Sequence, residues 1–311
     1  MAIEGGHRTV LLEEAVDLLA VRPDGIYMDG TFGRGGHSHA ILARLGPAGR
    51  LIAVDRDPEA VAAAQARFGS DGRFSVFRGA FSMLERIAQE AKVAGRVNGV
   101  LLDIGVSSAQ LDDPHRGFSF LQDGPLDMRM DPEAGESAGQ WLARAPEQEI
   151  ADVIYRYGEE RFSRRIARAI LAARTREPIV STLQLAGIVG AAVPTRERNK
   201  HPATRTFQAI RIFINHELEE LGACLEQCLR VLAPCGRLVV ISFHSLEDRM
   251  VKRFIRDHAR EAPPDPAAPW QAAAVKPLLR QIGKALRPGE GEIERNPRAR
   301  SAVLRAAEKL A

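Results

Sequence analysis

The 311-residue chain has only three cysteines, two tryptophans and three tyrosines. An odd number of thiols in a chain this long supplies no disulfide framework, which excludes the small, stapled secreted scaffolds. Cys224 and Cys228 lie four apart and Cys235 follows a proline, but no Cys or His spacing completes a zinc site around them. They read as small core residues, and no metal is expected. No apolar run approaches the roughly 20 residues that cross a bilayer, so no membrane partner is expected. The first ten residues mix Glu4, His7 and Arg8 with glycines and hold no apolar signal-peptide core, which gives a cytoplasmic expectation. A strong excess of one charge is also missing. A net charge of +3 permits an RNA partner without demanding one, so local clusters must carry that case.

What is present is alternation. Ile26 to Asp29, Leu51 to Asp55, Phe74 to Phe77 and Val100 to Ile104 are short apolar or β-branched runs, each ending in a polar or glycine-rich turn. Helical stretches such as His37 to Leu45 and Pro58 to Phe68 separate them, the second opening on a proline that suits a first helical turn. Repeated strand and helix predict an α/β, doubly wound Rossmann-like sheet. After Gln110 the alternation stops. Residues 112–203 read as an inserted helical subdomain for substrate recognition, with 1–111 and 204–311 forming the main domain. Within the insertion, one helix is predicted over Glu159 to Arg176, with Phe162, Ile166 and Ile170 on one face and Arg161, Arg164, Arg165 and Arg168 on another. A long helical stretch is predicted over Thr204 to Leu232, with Gly222 as its one candidate interruption. Then come a returning strand, Arg237 to Ser242, a helix, Leu246 to Arg260, a proline-rich loop, Ala262 to Pro269, and two late runs, Pro277 to Leu286 and Ser301 to Ala307, that suit an edge hairpin.

The segment Asp29-Gly30-Thr31-Phe32-Gly33-Arg34-Gly35-Gly36-His37 falls between the first strand and the first helix of the sheet, where glycines let a ligand approach the backbone. Asp55 ends the next strand, about twenty residues on, where a carboxylate accepts both ribose hydroxyls of an adenosine cofactor. Asp103 ends the fourth strand, so three acids rim one crevice. Glycine loop and Asp55 together serve an NAD-dependent oxidoreductase as well as a methyltransferase; the late strand followed by an edge hairpin favours the methyltransferase. A non-catalytic RNA-binding assembly protein that keeps the fold is a third reading.

Further motifs run through the chain: Asp55-Arg56-Asp57-Pro58, Asp103-Ile104-Gly105-Val106-Ser107-Ser108-Ala109-Gln110-Leu111-Asp112, Arg116-Gly117-Phe118-Ser119-Phe120, Gly124-Pro125-Leu126-Asp127-Met128-Arg129-Met130, His201-Pro202-Ala203-Thr204-Arg205, Ser242-Phe243-His244-Ser245-Leu246-Glu247-Asp248-Arg249 and Asn296-Pro297-Arg298-Ala299-Arg300-Ser301. With these the chain resembles the ribosomal RNA small subunit methyltransferase H family, the bacterial 16S rRNA cytosine-N4 methyltransferases, over nearly its whole length. The resemblance implies a fold of the S-adenosylmethionine (SAM)-dependent methyltransferase type and transfer of methyl from SAM to the N4 amine of cytosine 1402. It implies a partner, 16S rRNA in the small ribosomal subunit, and leaves a homodimer open. By position it places cofactor contacts on Gly35, Gly36, His37, Asp55, Phe81, Asp103 and Gln110. Cys235 departs from it, standing where the family usually has glycine.

An aromatic amine with its lone pair spread into the ring is a weak nucleophile, so positioning and hydrogen-bond acceptors must dominate catalysis. Asp103 is the candidate catalytic group, orienting the reacting atoms. Phe118, Phe120 and Phe243 are candidates to stack on a flipped cytosine. Two basic clusters suit phosphates: Arg249, Lys252, Arg253, Arg256 and Arg260 on one helix, and Arg196, Arg198, Lys200 and Arg205 before another.

Overall fold

A computed structural model describes residues 9–194, 201–261 and 276–311. It divides into two compact units: residues up to Gly105 together with Leu218–Ala311, and Val106–Glu217.

The first unit opens with α1 (Leu12–Leu19), β1 (Ile26–Asp29), α2 (Gly36–Arg44), β2 (Arg50–Asp55), α3 (Pro58–Phe68), β3 (Phe74–Arg78), α4 (Leu84–Glu90) and β4 (Val97–Asp103). Local chemistry sets the ends of α3: Pro58 fills the first turn and the Asp57 carboxylate accepts the Glu59 amide at 3.0 Å.

The chain then leaves the sheet. The second unit holds α5 (Ser108–Asp112), α6 (Ala138–Arg144), α7 (Glu147–Gly158), α8 (Ser163–Arg174), α9 (Thr182–Ala192) and α10 (Thr204–Ile214). Ser107 with Gln110, Ser137 with Gln140 and Ser181 with Gln184 form reciprocal capping boxes at the starts of α5, α6 and α9. Trp141, Ile150, Ile154, Ile166, Ile170, Leu185 and Ile210 pack into this unit's own core. Helix α10 belongs there: Phe207 and Ile210 are buried in that core, and α10 packs on α7.

Two predicted helices are shorter than expected. The stretch from Glu159 to Arg176 is helical only from Ser163, because Glu159 closes α7 in the left-handed region (φ 50°) and the Glu160 carboxylate accepts the Phe162 amide at 2.8 Å. The long helix is two, α10 and α11 (Glu217–Val231), broken at Asn215 and His216 rather than at Gly222. His216 has φ 52°. Asn215, 4% exposed, donates to the Met128 and Arg211 carbonyls and accepts the Met130 amide at 2.7 Å. The two long-range bonds, to Met128 and Met130, stop the helix, since extending it would pull the amide group from both partners.

Returning, the first unit adds α11 from Leu218, β5 (Leu232–Ser242), α12 (Ser245–His258), β6 (Leu279–Leu286), α13 (Glu290–Arg295) and β7 (Val303–Lys309). The sheet order is β3-β2-β1-β4-β5-β7-β6, with β1 to β5 parallel and β7 antiparallel to both of its neighbours. The late strands thus form the expected edge pair, with β7 inserted beside β5. Successive strand residues go to opposite faces. Met28, Ile52, Val100, Leu102 and Val240 join α4, α11 and α12 on one side, while Tyr27, Leu51, Leu101, Val239 and Ile241 join α1, α2 and α3 on the other. Helices therefore cover both faces, which is why the central strands read as unbroken apolar runs. No helix among the described residues is long and apolar enough to cross a membrane. The proline-rich loop and Arg196, Arg198 and Lys200 lie outside the described residues.

Candidate active site

Parallel strands β1, β2 and β4 end at one edge, and each ends in aspartate. Asp29 is fully buried; its carboxylate accepts the Ser38 hydroxyl at 2.7 Å and the Thr31 amide at 3.1 Å. Burial pushes it up to about 6, against the pull of those two donors. Asp55 accepts the Gly33 amide at 2.8 Å on one oxygen and the Asp57 amide at 2.9 Å on the other, and burial raises it too, to about 6. The Arg56 amide donates to it as well, so three backbone donors hold this carboxylate in place at the end of β2.

Between β1 and α2 the glycine loop turns sharply. Gly33 (φ 54°) and Gly35 (φ 72°) are left-handed. A Cβ on Gly35 would lie 2.5 Å from the Phe32 ring, and one on Gly36 would lie 1.8 Å from the Thr9 hydroxyl oxygen. The loop thus has no room for side chains at these two positions, because the protein's own Phe32 and Thr9 fill the space. His37, in the first turn of α2, is buried, with Nδ1 3.6 Å from the Asp103 carboxylate. Phe81 stands beside Gly30, its Cβ 3.5 Å from where a Gly30 Cβ would be.

Asp103 is the most perturbed of the three. Its amide donates to the Thr31 hydroxyl at 2.6 Å, while Oδ1 is enclosed and has no hydrogen-bond partner. Its side chain is 24% exposed. Burial, then the negative charges of Asp29 and Glu247, push it up to about 8. Glu247 comes from α12, where His244 caps the helix: Nδ1 accepts the Glu247 amide at 3.4 Å and Nε2 lies 3.1 Å from the Glu247 carboxylate. The other Glu247 oxygen accepts the Phe243 amide at 2.9 Å.

The structure thus brings Gly35, Gly36, His37, Asp55, Phe81 and Asp103 to one edge of the first unit. Gln110 belongs to the second unit, 7% exposed, its side-chain carbonyl accepting the Ser107 amide at 3.0 Å. Phe118 is a core residue of that unit, with no open face for stacking. Phe120 lies against His201 and Phe207, and Phe243 beside Gly105. The sequence reading passed over three contributors. Thr31 lies inside the glycine motif and Ser38 directly after it; both donate to Asp29, and the Thr31 hydroxyl accepts the Asp103 amide. Glu247 is signalled only by a helix-capping spacing, three residues after His244.

A doubly wound sheet with an antiparallel seventh strand between its fifth and sixth, and acids at the ends of strands one, two and four around a glycine loop, defines an adenosine-cofactor methyltransferase. Comparison with known proteins narrows this further. The chain belongs to the MraW methylase family, whose pattern matches residues 4–310. Membership in a methylase family sets aside the oxidoreductase alternative. The chain is 64% identical over 306 residues to "Ribosomal RNA small subunit methyltransferase H" of Thioalkalivibrio sulfidiphilus (strain HL-EbGR7), covering 98% of each protein. Among solved structures, an rRNA methylase from Streptococcus thermophilus is 11% identical with TM-score 0.42, covering 98% of this chain and 99% of that one. Aeropyrum pernix fibrillarin, solved with S-adenosyl-L-methionine, is 11% identical with TM-score 0.40, covering 96% and 72%. The strand order itself, rather than these distant likenesses, fixes the fold class.

Proposed function

We propose that this protein transfers methyl from SAM to the N4 amine of cytosine 1402 in bacterial 16S rRNA, acting in the cytoplasm on the small ribosomal subunit. The observation that carries the reading is 64% identity, over 98% of both chains, to a protein named for methylation of small-subunit ribosomal RNA. The site fits SAM: a carboxylate at the end of β2 held in place by backbone amides, a tight glycine turn at the start of α2, and an enclosed oxygen of Asp103 without a partner.

Gly35, Gly36, His37, Asp55, Phe81 and Asp103, all in the first unit, would hold the cofactor. Asp55 would accept from the ribose, and the glycine loop would let the nucleoside approach the backbone. Phe81 offers a flat apolar wall to the adenine. When bound, SAM supplies an electrophilic methyl on a sulfonium. This chain's residues supply position: Asp103, fixed through its amide by Thr31, orients the reacting groups, and Phe243, at the end of β5, offers a ring to the flipped base. Exposed Arg249, Lys252 and Arg253 on α12 and exposed Arg164, Arg165 and Arg168 on α8 provide the phosphate-binding charge.

The test is methyl transfer from labelled SAM to small subunits that lack this modification, followed by mass mapping of the labelled nucleotide. Label on N4 of cytosine 1402 is expected. Label elsewhere would overturn the target, and SAM binding without transfer would favour the non-catalytic assembly protein.

A further inference from the structure

In the strand order of this sheet, β1 and β4 are the neighbours at which the chain reverses direction across the sheet, and ligands of such folds lie over that point. With the ribose at Asp55 on β2, the remainder of the cofactor, its sulfonium included, would fall on the β4 side, toward Asp103. Around Asp103 the described residues gather charge of one sign. Asp29 faces it from β1 and Glu247 from α12; His37, from α2, is the nearest imidazole at 3.6 Å. No lysine or arginine is paired with Asp103 among the described residues, whereas Asp71, Asp127 and Asp248, exposed to a similar degree, each hold an arginine. A carboxylate so placed is stable as an anion only with a cation beside it.

We propose that Asp103 discriminates the cofactor from its spent form by charge: it is an anion when a sulfonium lies beside it and takes up a proton when that sulfur has become a neutral thioether. The inference rests on the SAM reading of the site. The proton balance closes. Methyl transfer moves the N4 lone pair onto carbon, returns the carbon–sulfur pair to sulfur and frees one proton from the amine, and the product complex needs one proton at Asp103. The device weakens the grip on S-adenosylhomocysteine relative to SAM, which favours exchange of product for fresh cofactor. The raised proton affinity of Asp103 in the ligand-free protein supports it, because a proton then remains to be displaced near neutral pH.

The experiment is calorimetric titration of the wild-type protein with SAM and with S-adenosylhomocysteine at pH 6, 7 and 8, in two buffers of different ionisation heat, repeated with Asp103→Asn. Wild type should release about one proton per SAM at pH 7 and none per S-adenosylhomocysteine, and the affinity ratio should shift at least tenfold toward SAM between pH 6 and 8. In Asp103→Asn the release and the shift should both vanish. Equal proton release with both ligands, or release that persists in Asp103→Asn, overturns the proposal. Should the variant not bind, the wild-type comparison of the two ligands decides alone. Failure of both ligands to bind wild type overturns the SAM reading itself, and this inference with it.

Discussion

Replacing Asp103 by asparagine should stabilise the ligand-free protein, by an amount that depends on pH. In the fold this carboxyl is pushed up to about 8, against an ordinary value of 3.8. A group whose folded value is raised contributes stability that is fully present below 3.8 and is lost as pH rises through 8. Four units at about 1.4 kcal/mol each set a ceiling near 6 kcal/mol. The side chain is 24% exposed, so water screens part of that, and about 2 to 3 kcal/mol is the expected size. Asparagine has nearly the same shape and no charge. Its melting temperature should match wild type near pH 4, rise above it progressively through pH 6 and 7, and exceed it by about 5 °C at pH 8 and beyond. Thermal melts of the two ligand-free proteins, followed by circular dichroism in matched ionic strength, measure this directly. A difference that is constant across pH, or a variant less stable than wild type at pH 8, would refute the reasoning.

Gly35→Ala forces a side chain into the left-handed region and against the Phe32 ring; it should cost about 2 to 4 kcal/mol in denaturant unfolding and weaken SAM binding in the same protein. Asn215→Ala strands the Met130 amide and the Met128 carbonyl, and a loss of about 2 to 4 kcal/mol should appear in urea titration. Cys235 is exposed with φ 62°, so Cys235→Gly should raise stability by up to about 1 kcal/mol, and a lower melting temperature would contradict the strain argument.

Much of the first unit could be read from sequence because its rules are local. Pro58 after a capping Asp57 places α3, and four apolar runs ending in turns place the parallel strands. Cys235 was visible as a departure where glycine is usual, and its left-handed backbone supplies the reason that glycine suits the position. What escaped notice depends on partners distant in the chain. Nothing near Asn215 announces the break between α10 and α11; the cause lies 85 to 87 residues earlier, at Met130 and Met128. Glu247 looks like a capping residue until β5 pairs with β4 and brings the start of α12 to the Asp103 carboxylate. Asp55 was expected to serve a ribose. It also ties down both the glycine loop and the turn before α3, a double duty that motif spacing does not encode.

The insertion after Gly105 also bears on the order in which the protein is made. Asp103 pairs with Ile241, so strand β4 waits on the ribosome for about 140 further residues before its partner emerges. At roughly 5 to 20 residues per second that is on the order of 7 to 30 seconds, during which β4 is an open sheet edge carrying Val97, Val100, Leu101 and Leu102. The intervening segment carries a core of its own, around Trp141 and Ile154. Its collapse shortens the effective loop that must close to join β5 to β4, and with it the entropy cost of that step. Mutations that loosen this core should therefore act first on yield and aggregation during synthesis, even where the finished sheet is untouched.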